Sequence, residues 1–160
     1  MSNIFDITEK RILLVGATGV LGRVYATSIA QTGAKLVIAD TNQTDVISFA
    51  KSIGVTGVEV DITIEASVIN CVNFVSKKLG GLDGVINNAG ATSEGLMNEG
   101  EAFADFEEYP LSLWQRTIDV NLTGTFLVAR EAGRLMKSTS KGGSLVNISS
   151  TYGVVGPDHR

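Results

Sequence analysis

The sequence predicts an α/β fold, a doubly wound parallel sheet with helices on both faces. Three observations lead to this prediction: five short apolar runs recur along the chain, amphipathic stretches separate them, and the runs are almost continuously apolar. Continuous apolar runs are typical of strands buried on both faces, and strands that alternate with helices form right-handed βαβ units. A chain of 160 residues suits one domain, so we expect residues 1–160 to form a single unit.

The first half of the chain carries three predicted strands, each followed by a predicted helix. Asn42 and Thr63 are capping residue types placed at helix starts, and Gly33 and Gly80 stand where glycines end helices. The strands are predicted at residues 11–16, 35–40 and 57–61, and the helices at about 19–31, over the ten residues after Asn42, and from Thr63 towards Lys78.

The second half carries two more predicted strands, at residues 82–87 and 144–149, and one long helix from about Ser112 to about Ser138. Between them, Thr92–Pro110 is the least regular part of the chain and is rich in acids. We expect this segment to be an insertion or lid with a solvated acidic surface, because nothing in its composition marks a linker between domains.

Composition excludes several classes of function. A formal net charge of −4 lacks the basic surface of a nucleic-acid-binding protein. No apolar run is long enough to span a membrane, and the charged N-terminus does not resemble a signal peptide. The single cysteine, Cys71, falls within a predicted helix and suits the core better than a disulfide, a zinc site or a nucleophile. We therefore expect a cytoplasmic protein with no metal site and with neither a nucleic-acid nor a membrane partner.

A glycine-rich turn, Gly16-Ala-Thr18-Gly19-Val20-Leu21-Gly22, joins the first predicted strand to the first helix. Gly16 permits the tight turn, Gly19 lets the backbone approach a diphosphate, and Gly22 permits close packing of helix on strand. The helix N-terminus offers amide N–H groups and a positive dipole end to phosphates. The turn therefore predicts nucleotide binding, and the alternative is a turn that serves packing alone.

Asp40 ends the second predicted strand, 24 residues after Gly16. A carboxylate at this place can accept both hydroxyls of an adenosine ribose and would repel a 2′-phosphate, which predicts NAD rather than NADP. The alternative is an ordinary Asp that caps the following turn. Arg23, the nearby cation, is expected on the helix surface.

Several motifs, in order along the chain, resemble the short-chain dehydrogenase/reductase family. They are the glycine turn, Asp61 at the end of the third strand, Asn87-Asn88-Ala89-Gly90 after the fourth, Asn121 in the long helix, and Asn147-Ile148-Ser149-Ser150. The glycine spacing, Gly-xx-Gly-xx-Gly, is that of the extended, sugar-nucleotide-modifying branch, whereas the other motifs resemble the conventional branch. The resemblance implies a Rossmann-type sheet that here stops after its fifth strand.

For the cofactor, the resemblance implies that Asp61 and Ile62 hold the adenine. It implies that Asn88, Ala89 and Gly90 line the cofactor ribose, with Asn88 also tying the sheet together. Each of these residues taken singly also has a purely structural reading.

For catalysis, the resemblance implies that Asn121 holds a kink in the long helix and a water in a proton relay. It implies that Ser150 binds the substrate oxygen and stabilises alkoxide charge. Ser150 is preferred over Ser149 because Gly153 follows it by three residues, and a strand period of two would send the two hydroxyls to opposite faces.

The family's acid–base chemistry needs a tyrosine with a lysine four residues later, and none of Tyr25, Tyr109 and Tyr152 has one. We therefore expect the N-terminal part of a dehydrogenase, inactive alone, in which a missing neighbour leaves strand five and the long helix exposed. Self-association is expected to follow, and the parent protein is expected to be a homo-oligomer.

The resemblance implies an NAD(P)-dependent oxidoreductase that transfers hydride between nicotinamide and a small-molecule secondary alcohol or ketone, with a sugar derivative as a candidate substrate. Two alternatives stay open. One is a non-catalytic nucleotide-binding or assembly module, and the other is an epimerase- or dehydratase-like enzyme of sugar nucleotides, which the glycine spacing allows.

Overall fold

Five parallel strands form one sheet in the order β3-β2-β1-β4-β5. The structure, a computed structural model, describes residues 4–91, 105–139 and 142–155. Parallel pairing runs without a register break from Arg11↔Lys35 to Val15↔Ala39 between the central strand β1 and its neighbour β2. The strands are β1 (Arg11–Val15), β2 (Lys35–Asp40), β3 (Thr56–Glu59), β4 (Gly84–Asn87) and β5 (Ser144–Asn147).

Helices cover both faces of this sheet, as the apolar runs predicted. Ile12 and Leu14 face a core shared with α1 and α2, whereas Leu13 and Val15 face a second core shared with α3 and α5. The helices are α1 (Val20–Ala30), α2 (Gln43–Ser52), α3 (Glu65–Leu79), α4 (Leu111–Ile118) and α5 (Thr125–Thr139), with a π-helical segment at Asp119–Gly124 and 3₁₀ turns at Phe106–Glu108 and Thr151–Gly153.

Most strands are shorter than predicted. Gly16 is not in β1, because its φ of +77° turns the chain out of the extended conformation. Pairing nevertheless continues a little beyond β3, since Val60 N donates to Asp40 O at 2.8 Å. β5 ends at Asn147, so Ser149 and Ser150 lie beyond the strand. The strand-period reason for choosing between those two serines is therefore wrong.

Capping was predicted correctly at two helix ends and wrongly at two others. The Asn42 side chain accepts from Asp45 N at 3.0 Å, and Gly80 ends α3 with a φ of +72°. The expected cap Thr63 lies outside α3, which begins at Glu65 after the cap Ile64, and its amide and hydroxyl both donate to Asp61 Oδ1. Gly33, expected to cap α1, follows the actual cap Gln31 by two residues.

The long helix predicted from Ser112 to Ser138 is divided into α4, the π-helical segment and α5. Gly124 closes the π-helical segment against the core, where an added Cβ would lie 2.6 Å from Ile62 Cγ1. Single π turns inside α-helices often mark functional sites. Most of the predicted insertion lies outside the described residues.

Apolar surface is exposed on β5 and on α4 and the turns that follow it. All four β5 residues are exposed, and Val146 and Ile148 keep 44% and 41% of their surface in solvent. Trp114, Leu122 and Phe126 are also more than half exposed. Within the described ranges, no helix has both the length and the apolar character that a membrane span needs.

Candidate functional site

The carboxyl edge of the sheet opens into a cleft of about 450 Å³. It lies between the segments that follow β1 and β4, the point where strand order reverses and where open parallel sheets bind ligands. Residues from four strand ends therefore meet in one place. Those that the sequence singled out are Gly16, Thr18, Gly19, Asp40, Asp61, Ile62, Asn88, Ala89 and Gly90.

The three glycines of the turn have different surroundings. A Cβ on Gly16 would lie 2.4 Å from Ala89 N, and one on Gly22 would lie 2.1 Å from Gly16 O, so neither position has room for a side chain. A Cβ on Gly19 would meet nothing nearer than Gly16 O at 3.9 Å. The turn thus packs tightly against β4 and α1, while at Gly19 it leaves open space beside the backbone.

Amide N–H groups at the start of α1 adjoin this open space. The hydrogen bond from Arg23 N to Gly19 O, at 3.0 Å, opens the helical series, so the amides of Val20, Leu21 and Gly22 precede it. Such amides, together with the positive end of the helix dipole, favour an anionic ligand.

The Asp40 side chain points toward the glycine turn. Its Oδ2 accepts from Thr18 N at 2.8 Å, and its Oδ1 accepts from Thr41 N at 2.7 Å. The first bond joins the end of β2 to the glycine turn, and the second is the local turn contact that the alternative interpretation expected. Asp40 therefore has both a local and a long-range structural role at the cleft wall.

Arg23, expected on the surface of α1, is half-exposed and also takes part in this arrangement. Its Nε donates to Thr18 O at 2.8 Å, and its Nη2 donates to both carboxylate oxygens of Asp45 at 2.7 and 2.8 Å. The guanidinium also lies over the Phe49 ring, 4.6 Å from its centre. Arg23 thus joins the glycine turn to α2.

The segment after β4 is held at two points. Asn88 Nδ2 donates to Gly16 O at 2.8 Å, which joins this segment to the glycine turn. Asn121 bonds the Ala91 backbone twice: its Oδ1 accepts from Ala91 N at 2.7 Å and its Nδ2 donates to Ala91 O at 3.1 Å. The π-helical segment therefore fixes the backbone that forms this wall of the cleft.

On the β3 side, Asp61 and Ile62 are placed differently from each other. Asp61 is half-buried, and its Oδ1 accepts from the Thr63 amide at 2.9 Å and from the Thr63 hydroxyl at 2.6 Å. The Ile62 side chain is 4% exposed and belongs to the core. Both residues line the cleft, and Ile62 also packs against Gly124.

Asn87, at the end of β4, is a buried polar residue. Its Nδ2 lies 3.4 Å from Thr125 O and 3.5 Å from Asn147 Oδ1, whereas its Oδ1 has no hydrogen-bond partner among the described residues. The side chain links β4 to β5 and to α5 by long and therefore weak hydrogen bonds.

Comparisons with known proteins agree with this geometry. A family model described as short chain dehydrogenase matches residues 10–160. The chain belongs to the short-chain dehydrogenase family. It is 35% identical to a trans-4-hydroxycyclohexanecarboxylate dehydrogenase of Sinomonas cyclohexanicum, over all of this chain and 62% of that protein. It is 33% identical to an uncharacterized oxidoreductase of Mycobacterium tuberculosis, over 95% of this chain and 54% of that protein.

Solved structures of the family share the fold. A short-chain type dehydrogenase/reductase from Mycobacterium marinum superposes with a TM-score of 0.83 at 28% identity, over 96% of this chain and 60% of that one. An NAD⁺-bound xylitol dehydrogenase superposes with a TM-score of 0.82 at 31% identity, over 94% and 56%. The chain thus spans little more than half the length of these relatives.

Some residues that the short-chain dehydrogenase resemblance singled out do not line the cleft. Val20 and Leu21 are exposed, by 87% and 52%, at the start of α1. Ser150 is exposed beyond β5, and its carbonyl accepts from Gly153 N at 2.9 Å, which opens the 3₁₀ turn. Asn121 contacts the cleft wall through Ala91.

Sequence reasoning missed several residues of the cleft, most notably Arg116. Arg116 and Val120 are four residues apart on the same side of the α4 and π-helical region, and both line the cleft. That spacing can be seen in the sequence, but it points to the cleft only once the helix is known to face the strand ends. The other missed lining residues are Val15, Thr41, Val60, Thr63 and Ala91.

The cysteine is outside the site, as predicted. Cys71 lies in the core with 3% of its surface exposed, and burial raises the pKa of its thiol to about 12. A neutral, buried thiol is a poor nucleophile and metal ligand.

Proposed function

We propose that the protein binds NAD in this cleft and belongs to an oxidoreductase that transfers hydride between the nicotinamide and a secondary alcohol or ketone. The observation that carries the proposal is the open space at Gly19, next to the first amides of α1 and beside Asp40. A diphosphate fits that space chemically, because it is anionic and the backbone can approach it without a side chain between.

The residues around Gly19 suit the rest of the cofactor. Asp40 would accept the hydroxyls of the adenosine ribose, and Asp61 with the Ile62 backbone would contact the adenine. Asn88, Ala89 and Gly90 would line the remaining part of the path, held in place by the bonds to Gly16 and from Asn121. When bound, the nicotinamide supplies the hydride acceptor or donor.

Two facts favour NAD over NADP. The Asp40 carboxylate would repel a 2′-phosphate at the ribose that it contacts. In addition, a structural relative at 31% identity, the xylitol dehydrogenase, is described as NAD⁺-bound.

For the chemical step, we assign Ser150 to the substrate oxygen and Asn121 to positioning of the cleft wall and of a relay water. The chain has no tyrosine followed by a lysine four residues later, so the proposed acid–base pair is not among these 160 residues. We propose that these residues supply the cofactor-binding half and give no turnover by themselves.

The proposed substrate is a small hydroxylated molecule. Two of the relatives are named as dehydrogenases of trans-4-hydroxycyclohexanecarboxylate and of xylitol, and both molecules carry secondary hydroxyl groups. A sugar or polyol derivative fits this class.

Isothermal titration with NADH tests the cofactor proposal, with Gly19→Ala as the decisive variant. Its Cβ has room in the folded protein but would project into the space assigned to the diphosphate, so we expect NADH affinity to fall about tenfold or more while the melting temperature stays close to that of the parent. Gly133→Ala is the matched control, since a Cβ there also has room, with nothing within 4 Å, but lies on α5.

The control variant should bind NADH as the unmodified protein does. If NADH binds the unmodified protein and Gly19→Ala equally well, the diphosphate lies elsewhere. If the unmodified protein binds no NADH, the cofactor proposal is wrong.

A further inference from the structure

We infer that Asp45 determines the choice between NAD and NADP by pairing with Arg23, whose charge would otherwise be available to a phosphate at the ribose 2′ position. This inference rests on the proposed function, because it concerns the same adenosine ribose that Asp40 is proposed to bind. It adds a specificity-determining pair, Arg23 and Asp45, neither of which lines the cleft. The pair contacts the glycine turn at the carbonyl of Thr18, whereas Asp40 contacts the amide of the same residue.

Thr18 is held by opposite charges on its two sides. Its amide donates to the Asp40 carboxylate at 2.8 Å, and its carbonyl accepts from Arg23 Nε at 2.8 Å. Since a single residue spans about 3.5 Å, Arg23 Nε and Asp40 Oδ2 lie within about 9 Å of each other. A phosphate on the 2′ oxygen of a ribose bound at Asp40 would therefore come within reach of the flexible Arg23 side chain.

Asp45 occupies one terminal nitrogen of that arginine. Arg23 Nη2 donates to both Asp45 oxygens, at 2.7 and 2.8 Å, and Asp45 is itself fixed near the start of α2, where its amide donates to Asn42 Oδ1 at 3.0 Å. A guanidinium paired with a carboxylate offers little net positive charge to a phosphate. The pair, together with Asp40, leaves the ribose environment unfavourable for a second anionic group.

Removing the Asp45 charge would leave Arg23 in place. The bond to Thr18 O and the contact with the Phe49 ring do not depend on Asp45. Both side chains of the pair are accessible, with 42% of Arg23 and 43% of Asp45 exposed, so a ligand phosphate could replace the lost carboxylate. The chain would then carry an arginine next to the ribose, which is the group that suits a phosphate monoester.

The test is a titration of Asp45→Asn with NADH and with NADPH at fixed, low ionic strength, because exposed charges are screened by salt. We expect the ratio of NADPH to NADH affinity to rise by about five- to tenfold, the size of one charge-assisted hydrogen bond at a partly exposed site. A general loosening of α2 would change both affinities together and leave this ratio unchanged.

The double variant Arg23→Gln/Asp45→Asn decides whether the gain passes through Arg23. The ratio should return to the value of the unmodified protein, because no cation remains to accept the phosphate. Asp45→Ser serves as a second charge-removing variant if Asp45→Asn melts at a much lower temperature, and it should raise the ratio in the same way.

An unchanged ratio in the folded charge-removing variants, or a raised ratio that persists in the double variant, would overturn the inference while leaving NADH binding intact. Failure of the unmodified protein to bind either nucleotide would instead overturn the proposed function. The two failures are therefore distinguishable in the same experiment.

Discussion

Single residues at the cleft differ in how far their surroundings were predictable from the sequence. Gly16 and Gly22 have no room for a side chain, whereas Gly19 does have room. The glycine pattern between strand and helix predicted this difference. That prediction needed only local information, because the spacing itself specifies turn, open face and packing. The cap at Thr63 was wrong because Thr63 closes a local turn on Asp61 and the helix begins beyond it, after Ile64. Composition does not rank such a turn against a helix cap.

Asn121 is a second residue whose contacts could not be predicted from the sequence. Its place in the long helix was predicted, but its two bonds to Ala91 join residues 30 positions apart and could not be read from spacing. We expect Asn121→Ala to lower the free energy of unfolding by about 1–2 kcal/mol, since two hydrogen bonds at a partly exposed site are lost.

Urea unfolding measures this loss, and Asn73→Ala is the control. Asn73 is exposed on α3 and its side chain forms no hydrogen bond with the residues that the structure describes, so its replacement by a better helix former should leave stability unchanged or slightly increased. Equal stability changes in the two variants would mean that the bonds to Ala91 contribute nothing.

Among the elements, the strands were predictable in number and order, whereas the element boundaries and the division of the long helix were not. Apolar runs identified all five strands, yet strand ends depend on events such as the turn at Gly16. The long helix was predicted without a break, because its sequence pattern continues through residues 119–124, whereas packing of Gly124 on Ile62 and the bonds of Asn121 accompany a π-helical segment there. Tertiary contacts of this kind override local propensity.

The surface of β5 gives a prediction at this scale. Val146 is exposed on a strand at the end of the sheet, Ile148 is exposed directly after that strand, and apolar edge strands pair with other chains. We expect the 160-residue chain to self-associate, and we expect Val146→Lys to shift its sedimentation coefficient toward the monomer value.

Ile47→Lys is the matched control, because Ile47 is exposed to a similar degree, 49%, but lies on α2 away from β5. It should associate as the unmodified protein does. A monomeric unmodified protein, or equal effects of the two variants, would contradict association through β5.

At the scale of the whole molecule, the order of the strands in the sheet brings the local motifs together. The glycine turn, Asp40, Asp61 and the Asn88–Gly90 segment come from four different strand ends, and the order β3-β2-β1-β4-β5 brings them to one edge. The right-handed crossover rule made this arrangement predictable from the motifs. Arg116 and the Arg23–Asp45 pair were not predictable, since their positions depend on how helices pack after the sheet is formed.

A crystal structure of the protein with NADH would show directly whether the diphosphate lies at Gly19 and the adenosine ribose at Asp40. We predict that the diphosphate accepts hydrogen bonds from amides at Gly19 and the start of α1, at about 3 Å, and that the adenosine ribose hydroxyls donate to Asp40 at about 2.7 Å. A diphosphate bound away from Gly19, or an adenosine ribose that does not contact Asp40, would contradict it.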